Sequence, residues 1–174
     1  TDDATPRILG LGGVMTPSAS NAPGFIHKYD HIAANRDPEN LQYFGLGYGA
    51  DQNGFASQPG PRGVDAPNPV TYPFQGLDPN VTLDQQVSGE KTYDFNVEGV
   101  AHYGMYPDLW EDIRDEEGGQ ETYDALARGA EAYLQMWERV EGIEEVRCDT
   151  WNQPKIKKRG FGQQLKIGYV SSRA

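Results

Sequence analysis

The sequence predicts an α/β fold, and three observations carry that expectation. Residues 7–16 (RILGLGGVMT) and 41–48 (LQYFGLGY) are short, apolar and glycine-bearing, as buried strands are. Between them, Phe25, Ile26, Tyr29, Ile32 and Ala33 recur at helical spacing. Farther on, Tyr123, Leu126, Ala127, Ala130, Tyr133, Leu134, Trp137 and Val140 make one helical stripe.

The first helix is expected over 23–36. Pro23 suits its first turn, and Arg36-Asp37-Pro38 is a stop signal. Strand, helix and strand in succession make a βαβ unit, which implies a parallel pair with a right-handed crossover. Residues 52–100 read as a long Pro/Gly-rich loop. Pro59, Pro61, Pro67, Pro69, Pro73 and Pro79 supply half of the 12 prolines, a density that breaks regular elements. A loop of that length in a compact domain is usually functional. C-terminal helices follow over 107–116, opened by Pro107, and 120–141, separated by Gly118-Gly119. Residues 164–170 alternate like a strand. Domain organisation divides at 1–146 and a basic tail, 147–174.

The 174 residues carry a net charge of -11. That balance excludes a general nucleic-acid binder, which needs a basic face to displace phosphate counterions. The charge is uneven. The tail holds seven bases (Arg147, Lys155, Lys157, Lys158, Arg159, Lys166, Arg173) against Asp149, while the body holds the other 8 bases and 25 acids. Such a tail is expected to dock on an acidic surface. One cysteine, Cys148, excludes an internal disulfide framework and a cysteine-rich zinc site. No apolar run approaches the roughly 18 residues of a membrane span. The first residues lack the basic-then-apolar pattern of a signal peptide.

Several residues could carry chemistry. Asp51 ends the glycine run Gly45-Leu46-Gly47-Tyr48-Gly49-Ala50, at the C-terminal end of the second strand. Catalytic groups in α/β folds gather there, and a carboxylate can orient water or move a proton. The glycine spacing is not the dinucleotide fingerprint, because the last glycine of that motif is missing and a Pro-rich loop follows. His27 and His31 share a helix face, but Lys28 stands where a zinc protease motif has Glu, so they read as ordinary polar residues. His102 and Tyr103 lie between the long loop and the next helix, near Asp94, Glu98 and Asp108 in sequence, and could contact a substrate. Cys148 lacks a neighbouring base, and Thr1 lacks the strand that an N-terminal nucleophile needs.

The order of these segments resembles a known family. It comprises Gly12-Gly13-Val14, Asp30-His31-Ile32, the run Gly45–Gly54, Tyr106-Pro107-Asp108-Leu109 and Ala130-Glu131-Ala132-Tyr133-Leu134. It is similar to the C-terminal third of the membrane (renal) dipeptidase family, metal-dependent hydrolases of the amidohydrolase superfamily. Phrases around Phe55–Arg62, Val100–Tyr106 and Ala130–Arg139 resemble its large bacterial branch. The likeness covers residues 7–141. Gln52 and Asn53 stand where the family's G-x-G-x-D-F-D-G segment has Phe and a second Asp.

The resemblance implies the C-terminal βα units of a (β/α)8 (TIM-type) barrel, with Asp51 as the last-strand carboxylate facing a zinc centre. Tyr48, Asn53, His102 and Tyr103 would line a pocket for a small peptide-like substrate. No metal ligand is assigned within this chain. The family's His-x-Asp pair is missing here, so an N-terminal partner chain of the same barrel would supply the zinc ligands, and this chain alone would be inactive. Family analogy favours an extracytoplasmic setting. The alternative is a non-catalytic subunit or interaction module on a degenerate barrel scaffold; a self-contained α/β binding domain is a third reading.

Overall fold

The structure, a computed structural model, describes residues 3–37, 39, 42–50 and 58–142. The chain divides into two compact units, Thr1–Met136 and Trp137–Ala174. Only residues 137–142 of the second are described. The expected tail 147–174, its strand 164–170, Thr1 and Cys148 lie outside the described residues.

The first unit is a mixed α/β arrangement. In order it holds α1 (Thr5–Gly10), α2 (Ala22–Ala34), β1 (Phe74–Gln75), β2 (Thr82–Leu83), β3 (Val87–Ser88), β4 (Lys91–Thr92) and α3 (Phe95–Glu98). A 3-10 turn (Tyr103–Met105), α4 (Tyr106–Asp115), α5 (Gly119–Ala127) and α6 (Gly129–Val140) follow, the last reaching into the second unit. Helices α2, α4 and α5 pack on one another. Phe25, Ile32, Leu46, Met105, Leu109, Ile113, Ala125 and Leu126 fill the space between them.

The run 7–16 is not a strand throughout, as expected, because its first part is helix. Pro6 falls in the first turn of α1. At the other end Gly12, at φ 77°, turns the chain left-handed. Gly13 N–H donates to the Ile8 carbonyl and Gly12 N–H to Leu9, at 2.8 and 2.9 Å. That is a glycine-capped helix end. Proline at the start and glycine past the end outweigh the apolar composition.

The expected parallel pair is present in a short form. Met15 and Leu46 form a parallel bridge, on either side of α2 in sequence. Gly47 N–H donates to the Met15 carbonyl and Gly49 N–H to Pro17, both at 2.9 Å. Helix α2 matches its expected range closely, with Asn21 accepting from Gly24 N–H as its cap.

Residues 58–100, the described part of the loop expected over 52–100, are not irregular throughout. From Pro59 to Pro73 no regular element forms, as proline density dictates. Beyond it, β1–β2 and β3–β4 are antiparallel hairpins of two residues per strand. Gly89 supplies a φ of 63° at the β3–β4 turn. Asp94 caps α3 through Asn96 N–H, while Glu98 accepts from Asp94 N–H at 2.7 Å, a reciprocal cap.

The helix expected over 120–141 is broken between α5 and α6, for a reason local sequence conceals. In an uninterrupted helix the Ala125 carbonyl would accept from residue 129. Here it accepts from Leu46 N–H at 2.9 Å, and Arg128 Nε donates to the Phe44 carbonyl at 3.0 Å. The extended segment presses so close that a Cβ on Gly129 would lie 2.0 Å from the Leu46 oxygen. One on Gly45 would lie 2.6 Å from the Arg128 carbonyl. The expected stripe divides accordingly. Tyr123 and Leu126 are buried, while Tyr133, Leu134, Trp137 and Val140 are exposed.

Gly129→Ala and Gly45→Ala should each lower unfolding free energy by at least about 2 kcal/mol in urea titrations. Gly60→Ala, where an added Cβ meets nothing within 4 Å, should change it little. Equal effects at all three positions would contradict the crossing geometry.

Candidate functional site

The parallel segment around Leu46 delivers Tyr48 to an aromatic cluster. The Tyr48 ring lies 5.3 Å from Phe25 of α2 and 5.4 Å from Tyr106, the first residue of α4. Tyr106 in turn lies 6.1 Å from Tyr103. These spacings fall within the range aromatic pairs prefer, roughly 4.5–7 Å between centroids. Tyr106 Oη donates to Gln58 Oε1 at 2.8 Å, and Gln58 Nε2 donates to the Ala50 carbonyl at 3.0 Å. Gln58 thus ties Ala50 to the start of α4.

Burial, then the neighbouring Tyr106, pushes the Tyr48 hydroxyl up to about 12. Burial raises Tyr106 as well, with Tyr103 adding to it. Both phenols are therefore neutral near pH 7. They donate hydrogen bonds and offer ring surface; they do not act as bases.

The sequence placed five residues at a site. Tyr48 and Tyr103 do come together, through Tyr106. His102 turns elsewhere. Its Nδ1 accepts from Gly104 N–H at 3.1 Å, and its ring meets Tyr93 edge-on at 4.6 Å. Its Nε2 is buried with no hydrogen-bond partner among the described residues. His102 thus caps the 3-10 turn that carries Tyr103. Asp51 and Asn53 lie outside the described residues; Ala50 and Gln58 flank them. Gln58 and Tyr106 were missed. Tyr106-Pro107 was legible as a helix start, but no sequence signal marked Gln58.

His27 is exposed, and His31 pairs with Asp3 at 2.8 Å on the surface.

A second polar group lies along α4, whose Asp108, Glu111 and Asp112 are all buried. Each finds a donor. Tyr72 Oη donates to Asp108 at 2.5 Å and itself accepts from Phe95 N–H at 3.1 Å. Arg114 pairs with Glu111 and donates to the Gln75 carbonyl at 3.2 Å. Arg62 pairs with Glu116 and lies 3.2 Å from Asp112 Oδ1. That last approach is an ion pair but not an aligned hydrogen bond, since Oδ1 has no hydrogen-bond partner among the described residues. Burial raises the carboxyls of Asp108 and Glu111 above their usual range. It pushes Asp112 up to about 6, with Arg62 opposing and Glu116 and Asp115 adding. These groups bind the 59–75 segment to α4, a structural task.

No protein-family model, curated protein or solved structure matches the chain. Among the described residues no helix is long and apolar enough to cross a membrane.

The raised Asp112 value has a thermal consequence. Its folded-state value of about 6 exceeds the ordinary 3.8, so the folded chain holds the proton more tightly. The stabilising contribution is full below about 4 and is lost as pH rises to about 6. Melting temperature of the native chain should therefore fall relative to Asp112→Asn across pH 4–6 and run parallel to it above. Parallel curves throughout would show that Asp112 titrates normally.

Proposed function

We propose that this chain is the C-terminal part of a dipeptidase-like hydrolase barrel, acting on amide or peptide bonds once an N-terminal portion carrying His-x-Asp completes it. One observation supports this most. The Met15–Leu46 parallel bridge, set on either side of α2, holds the glycine run that precedes Asp51 in sequence and puts Tyr48 beside Tyr106, whose ring meets Tyr103. In this reading Asp51 takes a proton from water attacking an amide and passes it to the departing amine. Tyr48, Tyr103 and Asn53 would face the substrate, and His102 would hold the turn beneath Tyr103.

Zinc belongs to this reading through the family resemblance. Among the described residues no group of three or more His, Cys, Asp or Glu is placed to hold a metal ion. They do not make a zinc site by themselves. In this reading the zinc ligands are side chains of the N-terminal portion, since zinc needs about three protein ligands, and Asp51 faces that centre as the catalytic carboxylate.

The second reading is a non-catalytic interaction module. Leu134 of α6, an apolar side chain left exposed, favours it, since exposed apolar surface suits a protein partner.

The native assembly purified through this chain separates the two. Under the hydrolase reading it contains a second polypeptide by native mass spectrometry, binds zinc and cleaves dipeptides. Asp51→Asn should then lower kcat at least about 100-fold without altering assembly mass. Unchanged turnover in that variant overturns the catalytic role of Asp51. An intact assembly with neither zinc nor hydrolysis favours the interaction module.

A further inference from the structure

We infer that His102 is a pH-sensitive catch on the 3-10 turn that leads into α4, holding the turn while its ring is neutral and releasing it when the ring takes a proton. The catch is the bond from Gly104 N–H to His102 Nδ1, at 3.1 Å, which makes His102 the cap of the turn. A backbone N–H only donates, so Nδ1 carries a lone pair and the neutral ring keeps its hydrogen on Nε2. Charging the ring puts a hydrogen on Nδ1 as well. Two donors then face each other, and the cap is lost. Serine, threonine and asparagine cap helices without titrating, whereas histidines change charge between about pH 5 and 8.

The neutral arrangement already leaves one polar group unmatched. Nε2 is buried with no hydrogen-bond partner among the described residues, so its hydrogen lacks an acceptor. The turn packs closely on the ring, since a Cβ at Gly104 would stand 2.9 Å from it and 3.1 Å from Gln86 Oε1. Titratable and charged groups surround the ring from three elements. Tyr93, after β4, meets it edge-on at 4.6 Å, with the Lys91 ammonium 4.5 Å from the far ring's centroid and paired to Glu98 at 3.1 Å. Asp108 lies within electrostatic reach on α4. Burial raises its carboxyl; Tyr72 and a charged His102 oppose that rise, and Asp94, the cap of α3, adds to it. A ring that charges therefore loses its hold on Gly104 and gains an attraction to Asp108, and both changes favour leaving the cap. Met105 N–H donates to the His102 carbonyl at 3.0 Å, and its side chain is fully buried in the core. Release of the turn thus reaches the packing at the start of α4.

The test is an NMR titration of the full 174-residue chain between about pH 8 and 5. At the upper end the ring nitrogens of His102 should show Nε2 protonated and Nδ1 bare. As the ring takes up its proton, the Gly104 amide proton should shift upfield with the same midpoint. Its solvent exchange, corrected for the intrinsic effect of pH, should quicken at least about threefold, the scale of a lost helix cap. His102→Asn supplies a cap that does not titrate and should keep Gly104 protected at every pH. His102→Ala should leave it unprotected at every pH. Should the alanine variant fail to fold, the asparagine variant decides alone, because a pH response equal to the native one contradicts the catch. A neutral ring with its hydrogen on Nδ1, a ring that stays neutral down to pH 5, or Gly104 exchange indifferent to the ring's charge overturns the inference. No substrate or metal enters the assay, so its result is independent of Asp51.

Discussion

Leu46 N–H reaches the Ala125 carbonyl because glycine occupies both sides of the crossing. Much of the first unit's arrangement follows from that approach. It takes a carbonyl out of the helical ladder and ends α5. It brings Gly45 against Arg128, while Gly47 and Gly49 on the same run lie against Thr16 and the Thr16 carbonyl. The alternating glycines of 45–49 are therefore accounted for by backbone proximity on two sides. They need no phosphate to explain them. Tyr48, between two of these glycines, keeps its side chain and meets the aromatic series. The geometry that excludes Cβ atoms at neighbouring positions thus fixes where the one large side chain goes.

Helix α4 works by a different principle. Three buried carboxylates on a single helix would be costly if unpaired, because burial favours their neutral forms. Tyr72 and Arg62 answer two of them from the proline-rich segment, and Arg114 answers the third from α4 itself. Asn96 adds a two-way link at 2.9 Å, donating to the Val70 carbonyl and accepting from Val70 N–H. A side chain here supplies what a neighbouring strand would. The segment holds its course without regular structure, since its polar groups have specific partners.

Much of the core was legible. Periodicity gave α2, and Pro107 marked the start of α4, each to within about a residue or two, and the parallel contact of the two apolar runs was anticipated. Composition misled at residues 7–10, where Pro6 and Gly12-Gly13 decide for helix. The break at Arg128-Gly129 was hidden, because its cause is a segment some eighty residues away in sequence. The hairpins were passed over because two-residue strands carry almost no periodic signal. At the site, the aromatic residues were legible as types but their assembly around Tyr106 was not. A tyrosine at a helix start announces the helix, not the ring it will stack upon.

The way the 59–75 segment is held changes what can be done to the chain. Rich in proline and glycine, it looks like the natural place to graft a peptide tag or open a new terminus. Its ties to α4 and to Asn96 make it a poor one, for any insertion there separates donors that must reach buried acceptors together. The β3–β4 turn is the permissive position. Gly89 has open space about its Cβ position, and Val87, Ser88, Lys91 and Thr92 are all exposed. Tolerance to insertion follows the bonding of the backbone and side chains, not the proline content of the sequence.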